Sequence, residues 1–369
     1  MAWHRCLHKK VLRSRSLKKR FPSAWHPLRI LNLVWNPLRF SACLIFNSLL
    51  LLPVWIYELF RVCPLRKVRL ADSFLIIGHR GAAAFEIENT IPSFKKALTV
   101  YGANALEMDL TYTKDGQVVV WHDWDPDNII ALVRQMGVEP VVKYKPIVPD
   151  DSPMRRETHK LTLSELRTWY GYSKKKKNKK EEAYIPTVRE VFEWAVKMQE
   201  LKLIILDIKT PVAHKEFIQP MLKQIREIMA DTNPGFTVLF MSPEEEIIKE
   251  MKKHAPDLNY TCDVELPVGI VLDPEAYSCI KKAIKYKNKF ASVGRPTVLQ
   301  LGPWTTYRRV IKHDLKEMNK IKDSDNAVER LITWTINRKR EMKCLVSMNV
   351  SAMVTDRPDR LKKYIQKTN

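Results

Sequence analysis

From about residue 74 onward, short apolar runs alternate with amphipathic stretches, the pattern of β/α repeats around a parallel sheet. Eight runs predict barrel strands: 74–78, 105–110, 203–208, 237–241, 259–264, 297–301, 331–336 and 352–355. A ninth, 117–121, is surplus to a ring of eight. Between the first two runs, Thr90 is placed to cap a helix reading IPSFKKALTVYG, with Pro92 in the first turn, where its missing N–H costs little, and Gly102 closing it. The stretch TTYRRVIKHDLKEMNK predicts a basic helix on which His313 and Asp314 read as surface residues.

Upstream the pattern changes. Residues 40–60, FSACLIFNSLLLLPVWIYELF, are almost continuously apolar and long enough to cross a bilayer. Trp35, Trp55 and Tyr57 lie near the ends, where aromatic rings favour the headgroup level. Residues 1–39 are basic and contain no acid, so the chain reads as a basic N-terminal segment, a membrane helix at 40–60 and a catalytic barrel at 70–369. A cleaved targeting peptide and a helix lying in the interface are the other readings of the same segment. Of the net charge of +22, most is here: through Arg69 there are fourteen Lys and Arg against the single acid Glu58. Basic residues before the apolar run place the N-terminus in the cytosol and the barrel on the non-cytoplasmic side of a single-pass protein.

The chemistry sits at strand ends. His79-Arg80-Gly81 follows the first run, Glu107-Met108-Asp109 lies on the second, His122-Asp123 follows the surplus one, and Asp207-Ile208-Lys209 ends the third. Residues two apart on a strand share a face, so Glu107 and Asp109 can reach one ion, with Asp207 and Lys209 on the next wall. Active sites of α/β barrels collect at the C-terminal ends of the strands, where all of these fall. Three hard oxygen ligands suit Mg²⁺ or Ca²⁺. No Cys or His cluster points to zinc, and of the six cysteines only Cys262, Cys279 and Cys344 belong to the barrel, three scattered residues that form no disulfide framework. Two histidines beside a cation and a phosphate can take a proton and give one, the chemistry of phosphodiester cleavage.

The stretch IGHRGAAAFEIENTIPSFKKALTVYGANALEMDLTYTKDGQVVVWHD, followed by LDIKTP, TWTIN and VTDRP, resembles the glycerophosphodiester phosphodiesterases over residues 74–360. The resemblance implies a (β/α)8 TIM barrel with a small insertion after strand two, spanning 111–186 here and carrying the second histidine. It implies His79 and His122 as the acid/base pair, Glu107, Asp109 and Asp207 as ligands of one divalent cation, and Arg80 and Lys209 on the phosphate. Glu88 and Trp334 match elements near the substrate. The implied reaction hydrolyses glycerophosphodiesters to glycerol phosphate and an alcohol; some anchored relatives act instead as lysophospholipase D. The family usually has Glu where this chain has Asp207, which is closer to the related sphingomyelinase D enzymes. An inactive membrane-bound scaffold would have lost a catalytic position, and none is lost.

One feature stands outside the resemblance: residues 174–180 carry six lysines, beginning at Lys174 and ending at Lys180. A solvated loop is one reading, contact with anionic lipid the other. The run has no interleaved aromatics, so nucleic acid is not an expected partner.

Overall fold

The computed structural model describes residues 74–135, 143–144, 148–176, 179–266, 273–294 and 304–368. The expected basic segment 1–39, membrane helix 40–60 and strand 297–301 lie outside them. Among the described residues no helix is long and apolar enough to cross a membrane.

In chain order the first strands are β1 (Leu75–Gly78) and β2 (Ala105–Tyr112), joined through helix α1 (Ile91–Thr99). Four strands follow that lie outside the ring: β3 (Val118–Val120), β4 (Lys143–Tyr144), β5 (Tyr172–Lys176) and β6 (Lys179–Ala183). The ring resumes with β7 (Leu203–Ile208), β8 (Thr237–Ser242), β9 (Asn259–Glu265), β10 (Phe290–Gly294), β11 (Arg330–Trp334) and β12 (Ala352–Thr355). Ring neighbours pair in parallel, and β1 pairs with both β12 and β2, so the eight strands close into the expected α/β barrel.

The sixth barrel position is taken by Phe290–Gly294, between β9 and β11, rather than by 297–301. This segment reads FASVG, whose small residues make no continuous apolar run. Gly294 has a steric reason: a Cβ there would lie 2.1 Å from the Trp334 ring.

Alternation along the strands sorts side chains into two cores. Leu75, Ile77, Ala105, Leu203, Ile205, Leu239, Ile332, Ala352 and Val354 pack inside the ring. Ile76, Leu106, Met108, Ile204, Leu206 and Met353 face outward under the helices. Further along the inward rows of β1, β2, β7, β11 and β12, the next side chains are His79, Glu107 and Asp109, Asp207, Trp334 and Asp356. The barrel is therefore apolar inside and becomes polar at the carboxyl ends.

α1 begins as its sequence requires, with the Thr90 side chain accepting from Ser93 N and Pro in the first turn. Asp314 corrects an expectation, for it is fully buried and accepts from Ser278 Oγ and, at 3.1 Å, from Cys279 N. It lies three, four and seven positions after Ile311, Val310 and Tyr307, on the buried stripe of helix Trp304–Lys320. There it caps the start of helix Cys279–Lys285.

Between β2 and β7 the chain builds a lobe. β3 pairs antiparallel with β2, while β4, β5 and β6 form a separate sheet. The lobe also holds α2 (Ile129–Gln135) and α3 (Leu163–Trp169). Its own core joins Val119, Trp121, Val148, Leu161, Leu166, Tyr170 and Ile185 with Ile87 from the β1–α1 loop. The lysine run enters a pair of antiparallel strands instead of an irregular loop, and the register sets Lys174 opposite Glu181 and Ser173 opposite Glu182.

Candidate active site

Asp109 on β2 and Asp207 on β7 are direct register partners, and Glu107 precedes them by two residues on the same face. Together the three carboxylates present ligand oxygens within 4.8 Å of one another. Burial and the adjacent Asp109 push Glu107 up to about 8, because three clustered acids in a dry site cannot all ionise without a cation. Asp207 Oδ1 is buried with no hydrogen-bond partner. An unsatisfied buried oxygen within a crowded acidic trio fits a divalent ion.

His79 continues β1 into the loop, its N–H bonded to Thr355 O of β12 at 3.0 Å. Its Nδ1 lies 2.6 Å from Asp356 Oδ1, and Nε2 points toward Glu107 Oε2 at 3.9 Å. Asn337 Nδ2 donates to the other Asp356 oxygen at 2.6 Å, fixing the carboxylate that fixes the imidazole. Burial and Arg80 oppose charge on His79, but Asp356 and Glu107 outweigh them and its pKa rises above 6.5. Asp356 thus orients a site histidine.

The next two groups depend on left-handed backbone. Arg80 has φ +50° and Asn89 φ +55°, and both turn their side chains back over the strand ends. Arg80 N donates to Glu107 Oε2 at 2.8 Å, while its Nε lies 2.9 Å from Asp109 Oδ2 and its Nη1 3.3 Å from Glu88 Oε1. Asn89 Nδ2 donates to Asp109 Oδ2 at 2.8 Å. Arg80, Lys209 and His122 hold Asp109 well below the usual carboxylate range despite the opposing effect of burial.

His122 comes from the lobe. Its Nδ1 lies 2.6 Å from Asp123 Oδ1, and Arg134 of α2 reaches Asp123 Oδ2 at 3.3 Å. Arg134 also donates to Glu88 through Nη2. Burial, Arg134 and Arg80 bring the His122 pKa below 6.5, against the pull of Asp109 and Asp123. The two imidazoles are therefore biased in opposite directions, His79 toward and His122 away from the charged form.

Lys209, just past β7, donates to Asp207 and lies 3.0 Å from Asp109 Oδ1. Although burial disfavours its charge, Asp207 and Asp109 hold it protonated. On the opposite wall Trp334 Nε1 donates to Asp263 Oδ1 at 3.1 Å, and burial together with Asp207 raises Asp263 to about 7. Trp334 and Asn337 both serve this end because β11 stops at Trp334.

All nine residues predicted for the site meet at the carboxyl end of the ring. Sequence reasoning did not assign Asn89, Asp123, Arg134, Asp263 or Asp356. The Asp after His122 was visible as a pair; Arg134, inside the helix IIALVRQ, carried no local signal.

Two carboxylate-backed imidazoles facing an acidic cation pocket, with Arg and Lys at its rim, define a metal-dependent phosphodiesterase chemistry. Residues 79–360 match the model of the Glycerophosphoryl diester phosphodiesterase family, and the chain belongs to that family as a phosphodiester hydrolase. A glycerophosphodiester phosphodiesterase of Caldanaerobacter subterraneus subsp. tengcongensis is 27% identical over 301 residues, covering 79% of this chain and 98% of the relative. Lysophospholipase D GDPD1 of Homo sapiens is 25% identical over 304 residues, covering 78% of this chain and 85% of the relative. Among solved structures, an Oleispira antarctica phosphodiesterase in complex with the product sn-glycerol-3-phosphate shares the fold at a TM-score of 0.54, with 17% identity, 80% of this chain and 97% of that chain covered.

Proposed function

We propose that His79 and His122 are the acid and base of glycerophosphodiester hydrolysis, with Glu107, Asp109 and Asp207 holding one divalent cation. The observation that carries this reading is the matched pair of dyads. Each histidine has Nδ1 2.6 Å from an aspartate, which leaves Nε2 of each ring for the reaction. When bound, the cation supplies charge neutralisation for the phosphate.

One histidine takes the proton of the glycerol hydroxyl next to the phosphate as that oxygen attacks phosphorus. The other gives a proton to the leaving alcohol. Water then opens the cyclic phosphate with the roles reversed, so the protein needs no Ser or Cys nucleophile. Arg80 grips phosphate oxygens and Lys209 offsets developing charge; both lie on Asp109, a carboxylate that would hold the cation with Glu107 and Asp207. Glu88 aligns Arg80, and Trp334 forms the wall facing the alcohol.

A second reading, lysophospholipase D action on lysophospholipids, draws support from the relative of that name and from the apolar segment 40–60, which would hold the barrel at a membrane. In this reading the protein is single-pass, with the barrel on the non-cytoplasmic side and the lysines of 174–180 against anionic headgroups. The shorter Asp207 adds sphingomyelin to the substrates to be tried.

A panel of glycerophosphocholine, lysophosphatidylcholine and sphingomyelin, run with EDTA and then with Mg²⁺ or Ca²⁺ restored, separates these readings. Metal-dependent release of glycerol phosphate supports the first. Turnover of the water-soluble compound alone removes the second, and full activity in EDTA overturns the metal assignment.

A further inference from the structure

A second group of potential ligands lies where the lobe meets the barrel. Glu157 and His159 flank and enter the short helical turn Thr158–Lys160 of the lobe, and His214 lies in the turn Val212–Phe217 that follows β7. The three present ligand atoms within 4.8 Å of one another. His159 Nε2 is 3.9 Å from Glu157 Oε2, and His214 Nε2 is 3.8 Å from Glu157 Oε1.

These separations are too long for hydrogen bonds. They are also close to what a shared ion needs. Tetrahedral zinc with bonds near 2.0–2.2 Å sets its ligands roughly 3.3–3.5 Å apart, so ligand atoms that now lie within 4.8 Å of one another would draw together to complete the site. His159 adds a second observation: its Nδ1 is buried with no hydrogen-bond partner, and its Nε2 lies 3.9 Å from Glu157 Oε2. Leaving an imidazole unpaired in a largely buried position is costly unless something else satisfies it.

The backbone is arranged to bring the third ligand in. The turn Val212–Phe217 breaks its helical geometry at His214, with φ −128° and ψ 28°, which points this imidazole inward while Ala213, Lys215 and Glu216 stay exposed. Trp124 stacks on His159 at 5.2 Å between centroids and lies 5.6 Å from His214, and Phe217 closes over His159 at 5.2 Å. An apolar wall of this kind strengthens metal–ligand bonds. Two side chains compete: Lys160 Nζ sits 2.5 Å from Glu157 Oε2, and Glu216 Oε1 lies 3.4 Å from His214 Nδ1. Both are more than half exposed and can turn into solvent.

We propose that Glu157, His159 and His214 form a second cation site, separate from the three carboxylates, that takes a borderline divalent ion such as Zn²⁺ and leaves a fourth position for water. Two imidazoles and one carboxylate select such an ion over Mg²⁺ or Ca²⁺, which prefer oxygen. No cluster was visible in the sequence because His214 stands 55 positions after His159. The site ties the lobe that carries His122, two residues before Trp124, to the turn that starts a few residues after Lys209. A bound ion would join the lobe to the barrel through these two segments.

The test uses the full chain, stripped with EDTA and dialysed against Zn²⁺ in a large excess of Mg²⁺, so that the carboxylate site is filled by Mg²⁺. Metal analysis should find about one zinc per chain. His159→Gln and His214→Asn should each cut this at least tenfold, whereas the Mg²⁺ requirement of hydrolysis stays. Zinc should raise the melting temperature of the native chain by several degrees and leave both variants unmoved. Co²⁺ in place of zinc should give the visible bands of four-coordinate cobalt, absent from the variants. Should His159→Gln fail to fold, His214→Asn, on an exposed turn, decides alone. Zinc content below a tenth of an equivalent in the native chain, or unchanged in a folded variant, overturns the proposal. The readout is metal content and melting, so failure of the hydrolysis reading would leave it intact.

Discussion

Arg134, on a lobe helix, donates to Glu88, on the loop after the first barrel strand, and both side chains are almost wholly buried. The same guanidinium holds Asp123, which holds His122. One cation thus connects the lobe histidine to the barrel.

Replacing Arg134 by Met would leave Glu88 and Asp123 buried with their shared cation gone. Removing one partner of a buried pair costs about 3–5 kcal/mol, so urea unfolding should show a loss of that size. Glu88→Gln added to Arg134→Met should recover part of it, giving a coupling energy in a double-mutant cycle. Additive losses would show that the pair is not coupled.

His79→Ala and His122→Ala should each lower kcat/KM by about 10² to 10⁴. A substrate whose leaving group departs without a proton, such as a nitrophenyl ester, identifies the acid. The variant that recovers most on this substrate has lost the donor. Equal recovery in both would remove the division of roles.

Asp356→Asn takes away the main group that raises the His79 pKa, leaving burial and Arg80 to lower it. The imidazole signal of His79, followed by NMR in the metal-free protein, should titrate at lower pH than in the native chain. Activity should fall roughly 10- to 100-fold, as for other partners that orient a site ligand. An unmoved titration would separate Asp356 from His79.

Glu107 gives cation binding a definite pH dependence. Its folded value near 8 lies above the ordinary 4.5, so between these limits the metal-free folded state keeps a proton that the unfolded chain releases. Stability of the metal-free protein therefore falls as pH rises across that window, and levels off above it. The cation requires the ionised form, so affinity should climb about tenfold per unit up to about pH 8 and then flatten. Calorimetry in buffers of different ionisation enthalpy should count about one proton released per ion at pH 7.

Gly294→Ala would drive a methyl into Trp334. The expected loss of stability is about 1–3 kcal/mol, with a shift in tryptophan emission as the indole leaves Asp263. A variant that melts with the native chain would mean that β11 gives way without strain.

The residues of this site that follow strand periodicity are legible in the amino-acid sequence alone. Glu107, Asp109 and Asp207 lie on apolar runs that read as strands, so their faces follow from the period of two. What escapes depends on distance in space. Arg134 pairs with Glu88 across 46 positions, in a helix with no polar pattern of its own. Asn89 reads locally as part of a helix start, and only its left-handed backbone turns the amide onto Asp109. β10 is hard to recognise because FASVG is short and small, a composition set by the Trp334 ring against Gly294. Asp314 resembles a surface acid beside a histidine, but its helix face buries it.

The two histidines belong to bodies with separate cores, the ring and the lobe, and the lobe's core is the smaller. Heating should therefore silence the enzyme before the barrel melts, as the lobe opens and carries His122 away from a still-intact carboxylate pocket. Cooling should restore turnover as fast as the lobe re-docks, without waiting for the eight-stranded ring to refold.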